Sequence, residues 1–102
     1  MIPQLRDWHG KYEKDGLTIV GVHSPEFAWE KPHDNVVAAA KDLGVRYPVV
    51  QDNDFAIWRR YSIWAWPSAV IVDKKGVVRY THVGEGAYRE TEEIIRKLLA
   101  EP

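Results

Sequence analysis

The sequence predicts a single α/β domain in which helices alternate with short strands. Apolar residues recur at helical spacing near both ends of the chain, and a continuous β-branched run covers residues 17–23. A strand, turn and strand pattern follows over residues 69–83. The predicted order is helix, strand, helix, strand, helix, strand, strand, helix, and its strand-helix-strand crossovers imply parallel pairing on a sheet covered by helices. The length of 102 residues accommodates one domain over residues 1–102.

The chain begins with a predicted amphipathic helix. Apolar residues on one face recur every three or four positions, with charged residues between them: Ile2, Leu5, Trp8 and Tyr12. Gly16 ends the helix, because glycine readily adopts the left-handed conformation that closes one. The apolar run 17–23 then fits a strand that is buried on both faces of a parallel sheet.

The middle of the chain alternates helices with a strand. A helix over residues 35–43 ends at Gly44, and residues 47–51 form a short strand. The segment Asp52-Asn-Asp54 then offers a capping carboxylate to a third helix. The apolar residues of that third helix are Phe55, Ile57, Trp58 and Tyr61.

A β-hairpin and a helix complete the predicted fold. Strands over residues 69–72 and 77–83 flank a turn in which Gly76 accepts a positive φ. The last helix covers residues 88–100, with acidic residues early and basic residues late, as the helix dipole favours.

The composition excludes several classes of function. The chain has no cysteine, so it holds no disulfide, thiolate nucleophile, iron-sulfur cluster or cysteine-ligated zinc. A formal net charge of -1 without a cluster of Lys and Arg argues against a nucleic-acid partner. The longest uncharged apolar run, about residues 62–72, is too short to span a bilayer, and no signal-peptide pattern starts the chain. We therefore expect neither a nucleic-acid nor a membrane partner.

Four histidines could in principle contribute to a metal site with nearby carboxylates: His9, His23, His33 and His82. Their spacing matches no metal-binding motif, which favours scattered surface histidines, although a pair of His23 and His82 at one end of the sheet stays conceivable. No serine stands in the Gly-x-Ser-x-Gly context of a hydrolase. We therefore expect no metal, no cofactor and no catalytic residue within this chain.

Two tryptophans stand just before Pro67. Trp64 and Trp66 flank Ala65, so at most one is expected to point inward, and the other can line a peptide-binding surface. Trp58, on a helical face, is expected in the core.

Three separated segments carry a resemblance to a known family. They are Gly21-Val-His-Ser-Pro-Glu-Phe27 with Glu30-Lys31, then Tyr61-Ser-Ile63 followed by Trp66-Pro67-Ser-Ala-Val-Ile-Val-Asp73-Lys-Lys-Gly76-Val-Val, and Gly84-Glu-Gly86. With these segments the chain resembles the thioredoxin-like superfamily, in its TlpA-type and redoxin branch. It is similar to the thioredoxin domains of DipZ-type and NHL-repeat-containing proteins. The resemblance implies a thioredoxin-like fold with a mixed sheet flanked by helices and a C-terminal hairpin and helix.

The resemblance also implies a substrate site. Pro67 corresponds to the family's cis-proline, which borders the substrate groove, and Trp66, Glu26 and Glu85 are the other candidate groove residues. The implied partner is a protein or peptide substrate. Relatives often work outside the cytoplasm, and the compartment of this chain stays open.

The family's first central strand and its Cys-x-x-Cys pair are absent from this sequence. Met1-Ile-Pro3-Gln-Leu5 matches the stretch just after the second cysteine, so the strand and the thiols would lie upstream of Met1. A start codon assigned too late, a selenocysteine codon read as stop, or a natural or designed thiol-free variant would each explain this. The expected fold is therefore a thioredoxin-like fold that lacks its first central strand.

In the family's topology the absent strand lies between the strands of residues 17–23 and 68–73. Because unpaired backbone groups on buried strands are costly, we expect these strands either to pair directly or to be completed by strand exchange in a homodimer.

Two functions stay open. The chain is either the larger part of a thiol-disulfide oxidoreductase, whose reaction it cannot perform without cysteine, or a non-catalytic module that binds peptides beside Pro67. In-frame codons for Cys-x-x-Cys or Sec-x-x-Cys upstream of Met1 would favour the first.

Overall fold

The computed structural model describes residues 1–25 and 31–102. The described elements are α1 (Ile2–Tyr12) with a 3-10 turn (Glu13–Asp15), β1 (Gly21–His23), α2 (His33–Asp42), β2 (Val49–Gln51), α3 (Ala56–Arg60), β3 (Ser68–Val72), β4 (Val78–Val83) and α4 (Tyr88–Ala100). Their order is the predicted one. Within the described ranges, no helix is both long enough and apolar enough to cross a membrane.

The strands form two separate pairs. β1 and β2 are parallel, with Gly21 opposite Val49, and β3 and β4 are antiparallel, with Ser68 opposite Val83. The α/β class, the parallel crossover and the hairpin are confirmed.

Direct pairing of the strands at residues 17–23 and 68–73 was one of two expected ways to close the sheet, and it is wrong. β1 and β3 belong to different sheets. Each strand region instead packs on the same helices through its own side chains, with Leu17 and Ile19 on one side and Ile71 on the other. Contacts with α1 and α4, and not a shared ladder of hydrogen bonds, hold the two pairs in place.

The core lies between α1 and α4. Its buried cluster consists of Trp8 and Tyr12 from α1 and Ile95 from α4, with the Trp8 ring edge-on to Tyr88 at 6.2 Å. Partly buried residues complete it: Leu5, Leu17, Ile19, Ile71, Tyr88 and Leu99. The apolar stripes predicted for the first and last helices therefore meet each other.

The region of β1 departs from the prediction of a strand buried on both faces. Only Gly21–His23 form a strand, and the side chains of Val20 and Val22 are 51% and 45% exposed. The pleat places Val22 beside Val50 of β2, which is also exposed. No described element covers this face of the β1-β2 pair, so its valines face solvent.

Candidate functional site

A groove of about 480 Å³ runs between the first turn of α1 and the loop that leads into β3. On the helix side its lining residues are Met1, Ile2, Pro3 and Leu5, and on the opposite side they are Trp66 and Pro67, just before β3, and Glu85, just after β4. We call this the α1-loop groove. Three residues predicted for a substrate groove thus lie together, on a surface shared with a helix start.

Trp66 is held by contacts on the side away from solvent. Its indole Nε1 donates a hydrogen bond to the carbonyl oxygen of Ser24 at 2.8 Å, and its ring lies 4.4 Å from that of Trp58 between centroids. The side chain is nevertheless 46% exposed, so one part of it is anchored and another is open to a ligand. Trp58 is partly buried by this stacking.

Trp64 differs from Trp66 in its exposure and in its position relative to the groove. Its side chain is 75% exposed, and it does not line the α1-loop groove. Of the two tryptophans that flank Ala65, Trp66 is therefore the one that packs inward, and it is also the one that lines the groove.

The backbone around Pro67 connects the groove to the hairpin. The peptide bond between Trp66 and Pro67 is cis. The carbonyl oxygen of Pro67 accepts a hydrogen bond from the amide of Gly84 at 2.7 Å, and the hydroxyl of Ser68 donates to the carbonyl of Ala65 at 2.7 Å. The start of β3 is thereby tied to the end of β4, and this brings residue 85 to the groove.

Buried polar residues fix the ends of β1 and β2 beneath Trp66. The carboxylate of Asp52 accepts hydrogen bonds from the backbone amides of Ile57 and Trp58 and from the hydroxyl of Ser24, at 2.9–3.0 Å. Burial opposes ionisation of Asp52, yet these donors together lower its pKa. The predicted capping carboxylate is thus present, and it also holds Ser24 where the indole of Trp66 can reach it.

Glu85 supplies the negative charge of the groove. Its carboxylate accepts hydrogen bonds from the hydroxyl of Tyr88 and from the N-terminal ammonium of Met1, the latter at 3.0 Å and 3.2 Å. The Tyr88 hydroxyl and this ammonium lower the pKa of Glu85, so the carboxylate is ionised at neutral pH. It remains exposed enough to meet a further cation or amide donor.

Glu26, the fourth predicted groove residue, lies outside the described residues. Sequence reasoning missed the helix side of the groove. A signal for it was present, because Pro3 stands in the first turn of α1, where its missing amide is tolerated, and it marks that turn as a helix start.

The groove suits binding better than chemistry. Its walls are mainly apolar. No thiol exists in the chain, and the described residues contain no group of three or more His, Cys, Asp or Glu that could hold a metal ion.

The chain matches the family model of the AhpC/TSA family over residues 1–81. Protein DipZ of Mycobacterium tuberculosis is 42% identical over 98 residues, which are 96% of this chain and 14% of that protein. Human NHL repeat-containing protein 2 is 36% identical over 87 residues, which are 84% of this chain and 12% of that protein. The chain thus spans about one seventh or less of these relatives.

Solved structures with the same fold include a thiol-disulfide isomerase from Corynebacterium glutamicum and StoA from Bacillus subtilis. The first superposes with a TM-score of 0.88 at 20% identity, over 99% of this chain and 70% of its own. The second has a TM-score of 0.73 at 21% identity, over 90% of this chain and 67% of its own. The thiol-disulfide oxidoreductase ResA of Geobacillus thermodenitrificans is 27% identical over 76% of this chain and 42% of its own. The chain belongs to the AhpC/TSA family and is a thioredoxin-like domain related to thiol-disulfide oxidoreductases.

Proposed function

We propose that this chain binds extended segments of protein substrates in the α1-loop groove and does not itself exchange thiols. One observation carries the proposal: Trp66, Pro67 and Glu85 share a single groove with the first turn of α1. Thiol-disulfide exchange requires a thiolate that attacks a disulfide, and the chain has no cysteine. What it offers to a protein substrate is therefore a binding surface.

The chemistry of the groove defines the segment that it fits. Ile2, Leu5 and the exposed part of Trp66 favour an apolar side chain, and the ionised carboxylate of Glu85 favours a cation beside it. An extended segment with an apolar residue next to Lys or Arg meets these requirements.

The binding test compares two tryptophan variants. The probe is the insulin B chain with its cysteines carboxymethylated, because it is extended and cannot exchange disulfides. We expect Trp66→Ala to weaken its binding about tenfold, since an aromatic anchor is lost, and the matched variant Trp64→Ala to change it by less than about twofold. Equal weakening by the two variants would place the site elsewhere.

Trp66 also donates a hydrogen bond to Ser24, so Trp66→Ala can lose binding because it misfolds. A second variant, at a residue without this structural role, separates the two causes. Glu85→Gln keeps the size of an exposed side chain and removes its charge. We expect weaker binding of the probe that becomes indistinguishable from wild type at high salt, where the charge of Glu85 is screened. Unchanged affinity at low salt would contradict a role for Glu85.

Redox inactivity has its own test. With dithiothreitol present, the chain is expected to leave the rate of insulin reduction at the background value. Turnover above background would overturn this part of the proposal. The homodimer expected from the sequence stays a prediction, which light scattering tests against the monomer mass of 11.8 kDa.

A further inference from the structure

The end of α3 and the loop that follows it carry two cations beside an exposed aromatic side chain. Residues 55–72 contain Arg59 and Arg60 but no Asp, Glu or Lys, in a chain whose net charge is -1. Trp64 is 75% exposed, more than any other large apolar side chain that the structure describes. Tryptophan and arginine are the residues that most often dominate the binding energy of protein interfaces, so this surface is a candidate for recognition.

Backbone hydrogen bonds turn the chain back at the end of α3. The amide of Ser62 donates to the carbonyl oxygen of Arg59 at 3.1 Å, and the amide of Ile63 donates to the carbonyl oxygen of Trp58 at 2.9 Å. Ser62 has a φ of 55°, in the left-handed region that reverses the direction of the chain. Trp64 therefore follows directly on the end of the helix, within reach of the long arginine side chains there.

The two arginines differ from those of the hairpin and of α4 in their contacts. Arg79, Arg89 and Arg96 each form an ion pair with a carboxylate. Arg59 and Arg60 are exposed, and no carboxylate of the described ranges pairs with them. Their guanidinium groups are therefore available to a carboxylate from outside the chain, which each can bind through two parallel hydrogen bonds.

Trp64 differs in the same way from the other tryptophans that the structure describes. The indole groups of Trp8 and Trp66 donate hydrogen bonds, and the ring of Trp58 lies 4.4 Å from that of Trp66. Within residues 1–25 and 31–102, Trp64 has neither an indole hydrogen bond nor a ring contact. Its indole N–H and most of its ring are thus open to a partner.

We propose that Arg59, Arg60 and Trp64, the Arg-Trp ridge, bind an acidic segment of a partner protein in which two neighbouring carboxylates stand beside an apolar residue. The carboxylates pair with the guanidinium groups, and the apolar side chain packs on the indole. The ridge lies outside the α1-loop groove, whose lining includes none of these three residues. Its ligand is also opposite in charge, because the ionised carboxylate of Glu85 gives the groove a preference for cations.

A peptide fits the Arg-Trp ridge better than a nucleic acid or a membrane does. Binding to phosphate backbones and to anionic lipid surfaces depends on several clustered cations, and the ridge has two in a chain of net charge -1. Two guanidinium groups are enough for two carboxylates, and one indole is enough for one apolar side chain.

The probe is the synthetic peptide Gly-Glu-Glu-Phe-Glu-Gly, and the control peptide has glutamine in place of each glutamate. Isothermal titration calorimetry at low salt measures the affinity of the whole chain for each peptide. We expect the control peptide to bind at least about tenfold more weakly, and the affinity for the probe to fall at high salt, where the charges are screened. In NMR spectra, the indole N–H signal of Trp64, assigned with Trp64→Phe, should shift when the probe binds.

Matched variants of the protein locate the site. Trp64→Ala and the double variant Arg59→Gln with Arg60→Gln are each expected to weaken the probe about tenfold. Both changes are at exposed positions, so the fold is expected to persist. The control is the double variant Arg89→Gln with Lys97→Gln, which removes the same charge from exposed positions of α4 and should change the affinity by less than about twofold.

Three results would overturn the proposal. The first is equal affinity for the glutamate and glutamine peptides, and the second is equal weakening by the two double variants. The third is tighter binding of a ten-residue oligothymidylate, or of vesicles of phosphatidylcholine and phosphatidylserine, because the ridge would then select phosphate.

The groove and the ridge have separate readouts. Glu85→Gln is expected to weaken the carboxymethylated insulin B chain without weakening the acidic peptide, and Trp64→Ala is expected to do the reverse. Failure of the proposed function at the groove would therefore leave the test of the Arg-Trp ridge intact.

Discussion

Two halves of the molecule cover their apolar residues to very different degrees. The helix-hairpin half consists of α1, β3, β4 and α4, and it holds the buried residues Trp8, Tyr12, Ile95 and Leu98. The crossover half consists of β1, α2 and β2. Its helix has no buried residue, and its strands expose Val22, Val49 and Val50, although Tyr47 just before β2 is buried. The hairpin strands of the first half also expose valines, so the halves differ chiefly in their helices. Apolar content is therefore not enough for a core, because a second layer must also lie against the apolar face.

The comparison also extends to polar contacts. In the helix-hairpin half, Glu92 of α4 accepts hydrogen bonds from Trp8, Lys11 and Tyr12 of α1, and from Arg96 one turn further along α4. In the crossover half, the corresponding tie is the carboxylate of Asp52, which joins strand ends and α3 but reaches neither α1 nor α4. In one half the hydrogen bonds thus join α1 to α4, whereas the crossover half is held at its strand ends and by the bond that Arg6 of α1 donates to the carbonyl of Leu43 after α2.

The largest expected effect comes from truncating the core of the helix-hairpin half. Trp8→Ala removes a side chain that is only 4% exposed, and with it a hydrogen bond to Glu92. We expect the free energy of unfolding to fall by about 3–5 kcal/mol, measured by urea denaturation at neutral pH. If Trp8→Ala does not fold, Trp8→Phe replaces it in the test. This variant keeps an aromatic ring, so its free energy of unfolding should fall by less.

Val37→Ala is the matched truncation in the crossover half. Its side chain is 51% exposed on α2, so we expect the free energy of unfolding to change by no more than about 0.5 kcal/mol. A cost comparable with that of Trp8→Ala would mean that α2 is covered after all, and that the difference between the halves is wrong.

Glu92 gives an intermediate effect with a defined pH dependence. Hydrogen bonds from Tyr12 and Lys11 lower the pKa of Glu92 from 4.5 to about 2. Because the folded pKa lies below the unfolded one, the ionised carboxylate stabilises the fold fully above about pH 4.5, and this contribution is lost as the pH falls toward 2. Glu92→Gln should lower the free energy of unfolding by roughly 1–2 kcal/mol at pH 7.

Urea denaturation at pH 7 and pH 3 separates this contribution from those of the other carboxylates. We expect the difference in the free energy of unfolding between wild type and Glu92→Gln to narrow at pH 3, because the carboxylate is then mostly protonated in the unfolded chain while it is still ionised in the folded one. Glu93→Gln, on the exposed side of the same helix, is the control and should lower stability little at either pH. If the difference in the free energy of unfolding between wild type and Glu92→Gln were the same at both pH values, the role of ionised Glu92 would be contradicted.

The contrast between the halves also explains what the sequence could predict. The helix over residues 88–100 was predicted and found as Tyr88–Ala100, because its apolar stripe and its charge distribution are local features. The burial of residues 17–23 was predicted wrongly. A continuous apolar run indicates a strand that can be buried, but the layers that bury it come from distant parts of the sequence.

In the candidate site, too, local features could be predicted and contacts between distant parts of the sequence could not. Trp66 and Pro67 could be identified from a short segment, since their motif is local. The contact between Met1 and Glu85 joins residues 84 positions apart, so Glu85 was reached only through the resemblance, and the helix side of the groove was not reached at all. The Glu92 network was missed for the same reason, because its donors in α1 lie at the other end of the chain.

The smallest expected effect tests whether the crossover half is loosely packed inside as well as exposed outside. A methyl group at Gly21 would lie 3.2 Å from the ring of Tyr47 and 3.3 Å from the side chain of Val49, so these neighbours must move by a few tenths of an ångström. Val49 is partly exposed and can move, so Gly21→Ala should change stability by no more than about 0.5 kcal/mol, with the stiffer unfolded chain offsetting the crowding. Gly44→Ala is the control. Gly44 has a φ of 69°, and a methyl group there would lie 2.9 Å from the side chain of Arg6. We expect this variant to lower the free energy of unfolding by about 1–2 kcal/mol. If urea denaturation instead shows Gly21→Ala to cost as much as Gly44→Ala, the interior of the crossover half is rigid, and the difference between the halves concerns only their outer faces.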